Sequence, residues 1–161
     1  MSTPELIVKV QKPATMRQEM EALHHQIARH AYEIYLDRGA LAGRDRDDWL
    51  TAEQELVWKP AIEILEKNSE LMIQVAVAGI EPSDFTVRLT EEHLLIQSDR
   101  THTHRDERGI VHVCEFRTGQ VFRIIHFPKR VDPATVEVEY RNGLLQLKAA
   151  LAIQEVGRQA A

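Results

Sequence analysis

Residues 136–151 read Val136-Glu137-Val138-Glu139-Tyr140-Arg141-Asn142-Gly143-Leu144-Leu145-Gln146-Leu147-Lys148-Ala149-Ala150-Leu151. Apolar and polar residues alternate up to Asn142-Gly143 and an apolar run follows it. A period of two places alternate side chains on opposite faces of a strand. Asn-Gly suits the two positive-φ positions of a tight turn, so the stretch predicts an antiparallel hairpin. The same period recurs upstream. Ile62 and Ile64 alternate with Ala61 and Glu63; Leu71, Ile73, Val75 and Val77 alternate with Met72, Gln74, Ala76 and Ala78. Phe85, Val87 and Leu89 follow, as do Val111 and Val113, and further apolar runs cover residues 93–98 and 121–127. Turn residues separate these runs, among them Lys67-Asn68-Ser69, Glu91-Glu92, Gly109, and the stretch from Pro128 to Pro133. Many short strands with turn punctuation indicate a mainly β chain, an immunoglobulin-like antiparallel β-sandwich. Several turns are too short for crossover helices, which argues against a parallel sheet.

Ahead of the sandwich the period changes. Met16, Met20, Leu23, Ile27, Ala31 and Ile34 recur at steps of 4, 3, 4, 4 and 3. That spacing forms one stripe of a helix running to about Asp37. Thr15 with Gln18 is a candidate N-terminal cap, and Gly39 a C-terminal stop. A second helix begins near Asp47, shares a face among Trp49, Ala52 and Leu56, and ends before Pro60. The expected organisation is a flexible arm (1–14), a helical hairpin (15–57), the sandwich (58–151) and a short tail (152–161). The helical pair is too small to bury a core alone, so its stripe needs a partner: the sandwich, or another copy of the chain.

Composition bounds the function. The 161 residues are 43 % apolar and 28 % charged, with a net charge of −5. That charge argues against nucleic-acid binding by phosphate neutralisation. No apolar run approaches the roughly 20 residues of a membrane span. Met1-Ser2-Thr3-Pro4-Glu5 does not lead a basic segment into an apolar one, and the single Cys114 precludes an internal disulfide. A reducing cytoplasm is the expected compartment.

The sandwich half resembles the α-crystallin domain of bacterial small heat-shock proteins over residues 58–151. The segment from Trp58 to Glu66 is similar to that domain's opening, and so is Val75 to Ile80 followed by Pro82, Asp84, Phe85 and Val87. Glu115, Gly119, Arg123, Phe127 and Pro128 fit the family's Glu…Gly-x-Phe-x-Arg…Leu-Pro pattern, with Val121 in place of its phenylalanine; Asn142-Gly143-Leu144-Leu145 fits its hairpin. Residues 24–56 resemble a short uncharacterised bacterial helical module, through Ala31-Tyr32-Glu33, Arg38-Gly39, Asp48-Trp49-Leu50 and Ala52-Glu53 among others.

The resemblance implies an ATP-independent holdase that binds partly unfolded proteins, with no cofactor and no catalysis. It implies a homodimer made by exchanging the strand near residues 110–116, or a larger oligomer. Val111, Val113, Glu115 and Arg123 would lie at that interface. Val87, Leu89, Val136 and Val138 would line a groove for extended apolar segments, although a one-residue change of register would turn them into the core instead. Met16, Met20, Leu23 and Ile27 form a stripe suited to client capture or self-association, or to docking on the chain's own sandwich. Leu151-Ala152-Ile153 is the segment nearest the family's Ile-x-Ile docking motif, with Leu151 and Ile153 as its anchors. The alternative function is an adaptor binding one native partner.

Other chemistry is weakly supported. His102, His104 and His112 could offer imidazoles to a metal, but a solvated loop in a His-rich chain explains them better, and no metal is expected. His24, His25 and His30 are five or six residues apart, poor spacing for chelation on a helix. His112 and Cys114 share a strand face without an orienting third group. No nucleophile elbow, phosphate-cradling glycine loop or zinc-protease motif is present.

Overall fold

Two sheets and two helices, in a computed structural model that describes residues 7–10, 13–98, 109–116 and 119–153, account for the periodicities in the chain. In chain order the elements are β1 (Ile7–Val10), α1 (Pro13–Asp37), α2 (Asp45–Leu56), β2 (Val57–Trp58), β3 (Ile62–Lys67) and β4 (Glu70–Ala76). Then come β5 (Phe85–Leu89), β6 (His93–Ser98), β7 (Gln120–His126), β8 (Glu137–Arg141) and β9 (Leu144–Ala150). One sheet has the order β3-β4-β9-β8 and the other β1-β5-β6-β7-β2. Every pairing among β3 to β9 is antiparallel; only the short β1 and β2 add in parallel, at the two margins of the five-stranded sheet.

Alternation dictates what lies between the sheets. Leu71, Ile73 and Val75 of β4, Phe85, Val87 and Leu89 of β5, and Leu145 and Leu147 of β9 face one another in a single buried cluster with Ile96 and Ile125. β6 and β7 differ from the other strands because they are buried on both faces. Leu95 and Phe122 turn away from the sandwich into a second cluster with Met16, Ile27 and Ala31 of α1, Ala52 of α2 and Val57. The helical hairpin therefore docks on the outer face of the five-stranded sheet, and of the two partners open to its stripe the chain uses its own sandwich.

Four local expectations are corrected. Residues 7–10 are not a loose arm but a strand, because a β-branched extended segment meets the exposed backbone edge of β5. α1 begins at Pro13, ahead of Thr15, as proline's fixed φ permits at a first helical turn. α2 begins at Asp45, and its first turn gathers Asp45, Asp47 and Asp48 at the positive end of the helix dipole without any side-chain cap. The run at Val111 and Val113 forms no strand, since no strand pairing is made to it among the described residues.

Two glycines have steric reasons to be glycine. Asn142 and Gly143 have φ of 51° and 78°, and the Gly143 carbonyl accepts a hydrogen bond from Val77 N–H at 2.9 Å. A Cβ at Gly143 would stand 2.9 Å from the Ala78 Cβ. At Gly119 a Cβ would meet the Val57 backbone at 2.9 Å, so this glycine lets β2 lie against β7. Replacing Gly143 by alanine combines a positive-φ penalty with that clash. Gly143→Ala is expected to lower unfolding stability by about 1–3 kcal/mol in urea titration, and an unchanged midpoint would contradict this account of the hairpin.

Candidate functional site

Strand edges and exposed apolar side chains are the features of this fold able to engage another polypeptide. β1 covers β5 along Ile7↔Thr86 to Val10↔Leu89, and β2 covers the start of β7 at Gln120 and Val121. In the other sheet β3 and β8 have no strand beyond them among the described residues. β3 carries an exposed Leu65 at its middle. Residues 109–116 lie outside any element, with Ile110 84 %, Val111 53 %, Val113 79 % and Phe116 69 % exposed. An exposed apolar segment and edge strands without a neighbour among the described residues thus occur on one folded sandwich.

The residues singled out in the sequence distribute unevenly over this surface. Val87 and Leu89 are enclosed between the sheets and offer nothing to a ligand, a correction that follows from the register Val87↔Ile96 and Leu89↔Leu94. Val136 and Val138 are half-buried against the same core. Met16 and Ile27 are buried under the hairpin, Leu23 is half-buried and Met20 is exposed, so the stripe is mostly occupied. Val111, Val113 and Glu115 are exposed. Leu151 is bound back to its own chain, donating N–H to Ser69 O at 2.9 Å and bridging Val131, whereas Ile153 is 93 % exposed. His102 and His104 lie outside the described residues. Among the described residues no three metal-ligating side chains come together.

Arg123 stands opposite Ile96 across the β6–β7 ladder, on the strand face that Val121 and Ile125 use for the core. It is half-buried and has no hydrogen bond or ion pair among the described residues. A guanidinium placed at the margin of an apolar layer gains greatly from a carboxylate supplied there.

The helical hairpin carries its own polar clasps. Arg38 grips Asp48 in a two-pronged pair, Nε to Oδ1 at 2.8 Å and Nη2 to Oδ2 at 2.7 Å, and this guanidinium holds the Asp48 carboxyl below its usual range. His30 joins the helices, with Nε2 at 2.5 Å from Glu55 Oε2 and Nδ1 at 3.2 Å from Glu33 Oε2. The Glu55 hydrogen bond, then that of Glu33, raises the imidazole above its ordinary 6.5. At the seam with the sheet Glu19 of α1 pairs with Arg88 of β5. This pair, like the strand β1, escaped the sequence reading. The Ile7-Val8-Lys9-Val10 alternation could have indicated the strand, whereas a lone Glu19 and a lone Arg88 gave no such signal.

The fold defines an immunoglobulin-like sandwich with an N-terminal helical layer, and comparison with known proteins places it further. Residues 63–160 match the model of the Hsp20/alpha crystallin family, and residues 22–57 match a family described as a protein of unknown function (DUF2934). The chain belongs to the Hsp20/alpha crystallin family. It is 27 % identical over 95 residues to a probable 15 kDa heat shock protein of Leptospira interrogans, covering 59 % of this chain and 72 % of that one. Among solved structures, a small heat-shock protein from Xylella fastidiosa, described as having a distinct high order structure, superposes with a TM-score of 0.54 at 20 % identity. The match covers 65 % of this chain and 95 % of that one. Heat shock protein 16.0 of Schizosaccharomyces pombe gives 0.53 at 23 % identity, over 59 % and 88 % of the two chains. At these identities the superpositions establish the fold.

The His30 bridge has a definite pH sign. A group whose pKa is raised by folding stabilises the folded state fully below its unfolded value and loses that contribution as pH rises through the folded value. Chemical unfolding compared at about pH 5.5 and about pH 8.5 is expected to show wild type losing more stability than His30→Gln over that interval. Equal losses in the two proteins would remove His30 as an interhelical bridge.

Proposed function

We propose that this protein is an ATP-independent holdase, binding partly unfolded polypeptides and keeping them from aggregating, without catalysis or cofactor, in the cytoplasm. One observation carries the reading: a folded sandwich presents the apolar segment 110–116 and an uncovered β3 edge to solvent. Unfolding chains expose the same two things, apolar side chains and unpaired strand backbone, and aggregate through them. A protein that binds such states preferentially withdraws them from that encounter. Membership of the Hsp20/alpha crystallin family supports the same activity.

The working unit in this reading is a homodimer, alone or within a larger oligomer. Residues 110–116 of each copy add as a strand to the β3 edge of the other, burying Val111 and Val113 and bringing Glu115 to the interface. Arg123 then finds its carboxylate across the subunit boundary. Such an exchange would cover the exposed Val111 and Val113, pair the β3 edge, and supply the half-buried Arg123 with a partner it lacks among the described residues.

Two measurements test these statements. Light scattering from a heat-labile model enzyme, without nucleotide, is expected to fall strongly at an equimolar ratio of this protein; undiminished scattering rejects the holdase reading. Arg123→Ala is expected to weaken the dimer by about 2–5 kcal/mol, because it strands a carboxylate at the interface. Sedimentation of that variant indistinguishable from wild type would dismiss Arg123 as an interface residue.

A further inference from the structure

The hairpin and the seam beneath it are held in different ways. Inside the hairpin, both oxygens of Asp48 are engaged by Arg38, and both imidazole nitrogens of His30 have glutamate partners. At the seam, the part-buried Glu19–Arg88 pair leaves Glu19 Oε2 and Arg88 Nε with no hydrogen-bond partner among the described residues. Enclosing a polar atom without a partner costs free energy, and a half-satisfied buried ion pair contributes little net stability. The apolar contact is also incompletely filled. A cleft of about 440 Å³ opens between the layers, lined by Met20, Leu23 and Ile27 of α1, Trp49 of α2, and Phe122 and Ile124 of β7. Partial opening follows planes of low local stability, and these features mark the seam between the two layers as such a plane.

We infer that the helical hairpin is a lid, and that the outer face of β6 and β7 beneath it is a binding surface for amphipathic helices. The chain's own α1 defines the ligand. It presents apolar residues at steps of 4, 3, 4 and 4 from Met16 to Ala31, with the carboxylate of Glu19 beside that stripe to meet Arg88. A helix from an unfolding protein with the same spacing and a flanking acidic residue meets Leu95, Phe122 and Ile124 when the lid is lifted. The lid keeps this face from solvent until a competitor arrives, and apparent affinity scales with the open fraction. Its use in cells rests on the holdase reading, but the surface itself is tested without any client.

The probe is a fluorescent synthetic peptide of residues 13–37, titrated into the full chain. Glu19→Arg sets like charges against each other at the seam and leaves Arg88 available to the peptide's own Glu19. It is expected to bind the peptide on the order of tenfold more tightly than wild type, as the open fraction rises. The double variant Glu19→Arg/Arg88→Glu restores an attractive pair and is expected to return to weak binding. Glu19→Arg binding no tighter than wild type, or a double variant as tight as Glu19→Arg, overturns the lid. A second measurement avoids disrupting the seam: in a Cys114→Ser background, a thiol at Met16→Cys is labelled under native conditions, with Val87→Cys as the sandwich-core control. Labelling on the order of tenfold faster at position 16 is expected; equal rates overturn the proposal even if Glu19→Arg does not fold. Peptide binding that persists in a protein unable to suppress aggregation would reject the holdase reading and leave the lid standing.

Discussion

β6 and β7 carry apolar side chains on both faces, and the rest of the molecule is arranged around that constraint. Leu94 and Ile96 enter the sandwich while Leu95 turns outward; Val121 and Ile125 enter while Phe122 and Ile124 turn outward. A two-layer sandwich satisfies only the inner set. The outer set needs a third layer, and burying one such large apolar side chain is worth about 1.5–3 kcal/mol. The N-terminal hairpin supplies that layer, too small to fold alone yet sufficient once it shares a core with the sheet. The dependence is mutual. Ala52 and Val57 are as fully enclosed in the helix–sheet cluster as many residues of the sandwich.

The two sheets handle their edges differently. At the five-stranded sheet the chain covers its own margins, β1 along β5 and β2 at the start of β7. The four-stranded sheet leaves β3 and β8 uncovered and protects them with charge instead: Glu63, Glu66 and Lys67 on β3, and Glu137, Glu139 and Arg141 on β8. Charged edge strands discourage indiscriminate pairing while still admitting a segment of suitable side chains. Lys129 adds a link from the loop after β7 to Glu66 at 2.7 Å, which ties the two sheets together beside the β3 edge.

What the sequence made legible follows from the range of the interactions involved. The hairpin at Asn142-Gly143, the alternation of β4 and β5 and the steps of the α1 stripe are local patterns, and each reappears in its predicted element. Position on a face is less local. Val87 and Leu89 lay on an alternating strand whichever sheet face they used, and only the pairing of β5 with β6 puts them in the core. The proposed interface rests on residue type and on the resemblance: an arginine within the run 121–127 and the alternating Val111 and Val113. Contacts between distant parts of the chain were not legible, because Glu19 and Arg88 are separated by most of the sandwich's first strands and neither has a distinctive neighbour.

A protein that holds unfolding chains faces a physical conflict, since the surfaces that capture others are the surfaces by which it would aggregate. Here the conflict is divided between two devices with different chemistry. Apolar side chains are left in solvent at Ile110, Val111, Val113 and Phe116, where in the proposed dimer a second copy of the chain offers an edge. Helix-binding apolar surface is enclosed by the hairpin, whose internal ion pairs are complete while the pair at its seam is not. Unfolding proteins display frayed strands and loosened amphipathic helices together. In the proposed mechanism a chain with one surface for each, the first restrained by self-association and the second by an intramolecular cover, would engage both without leaving a single large apolar face exposed.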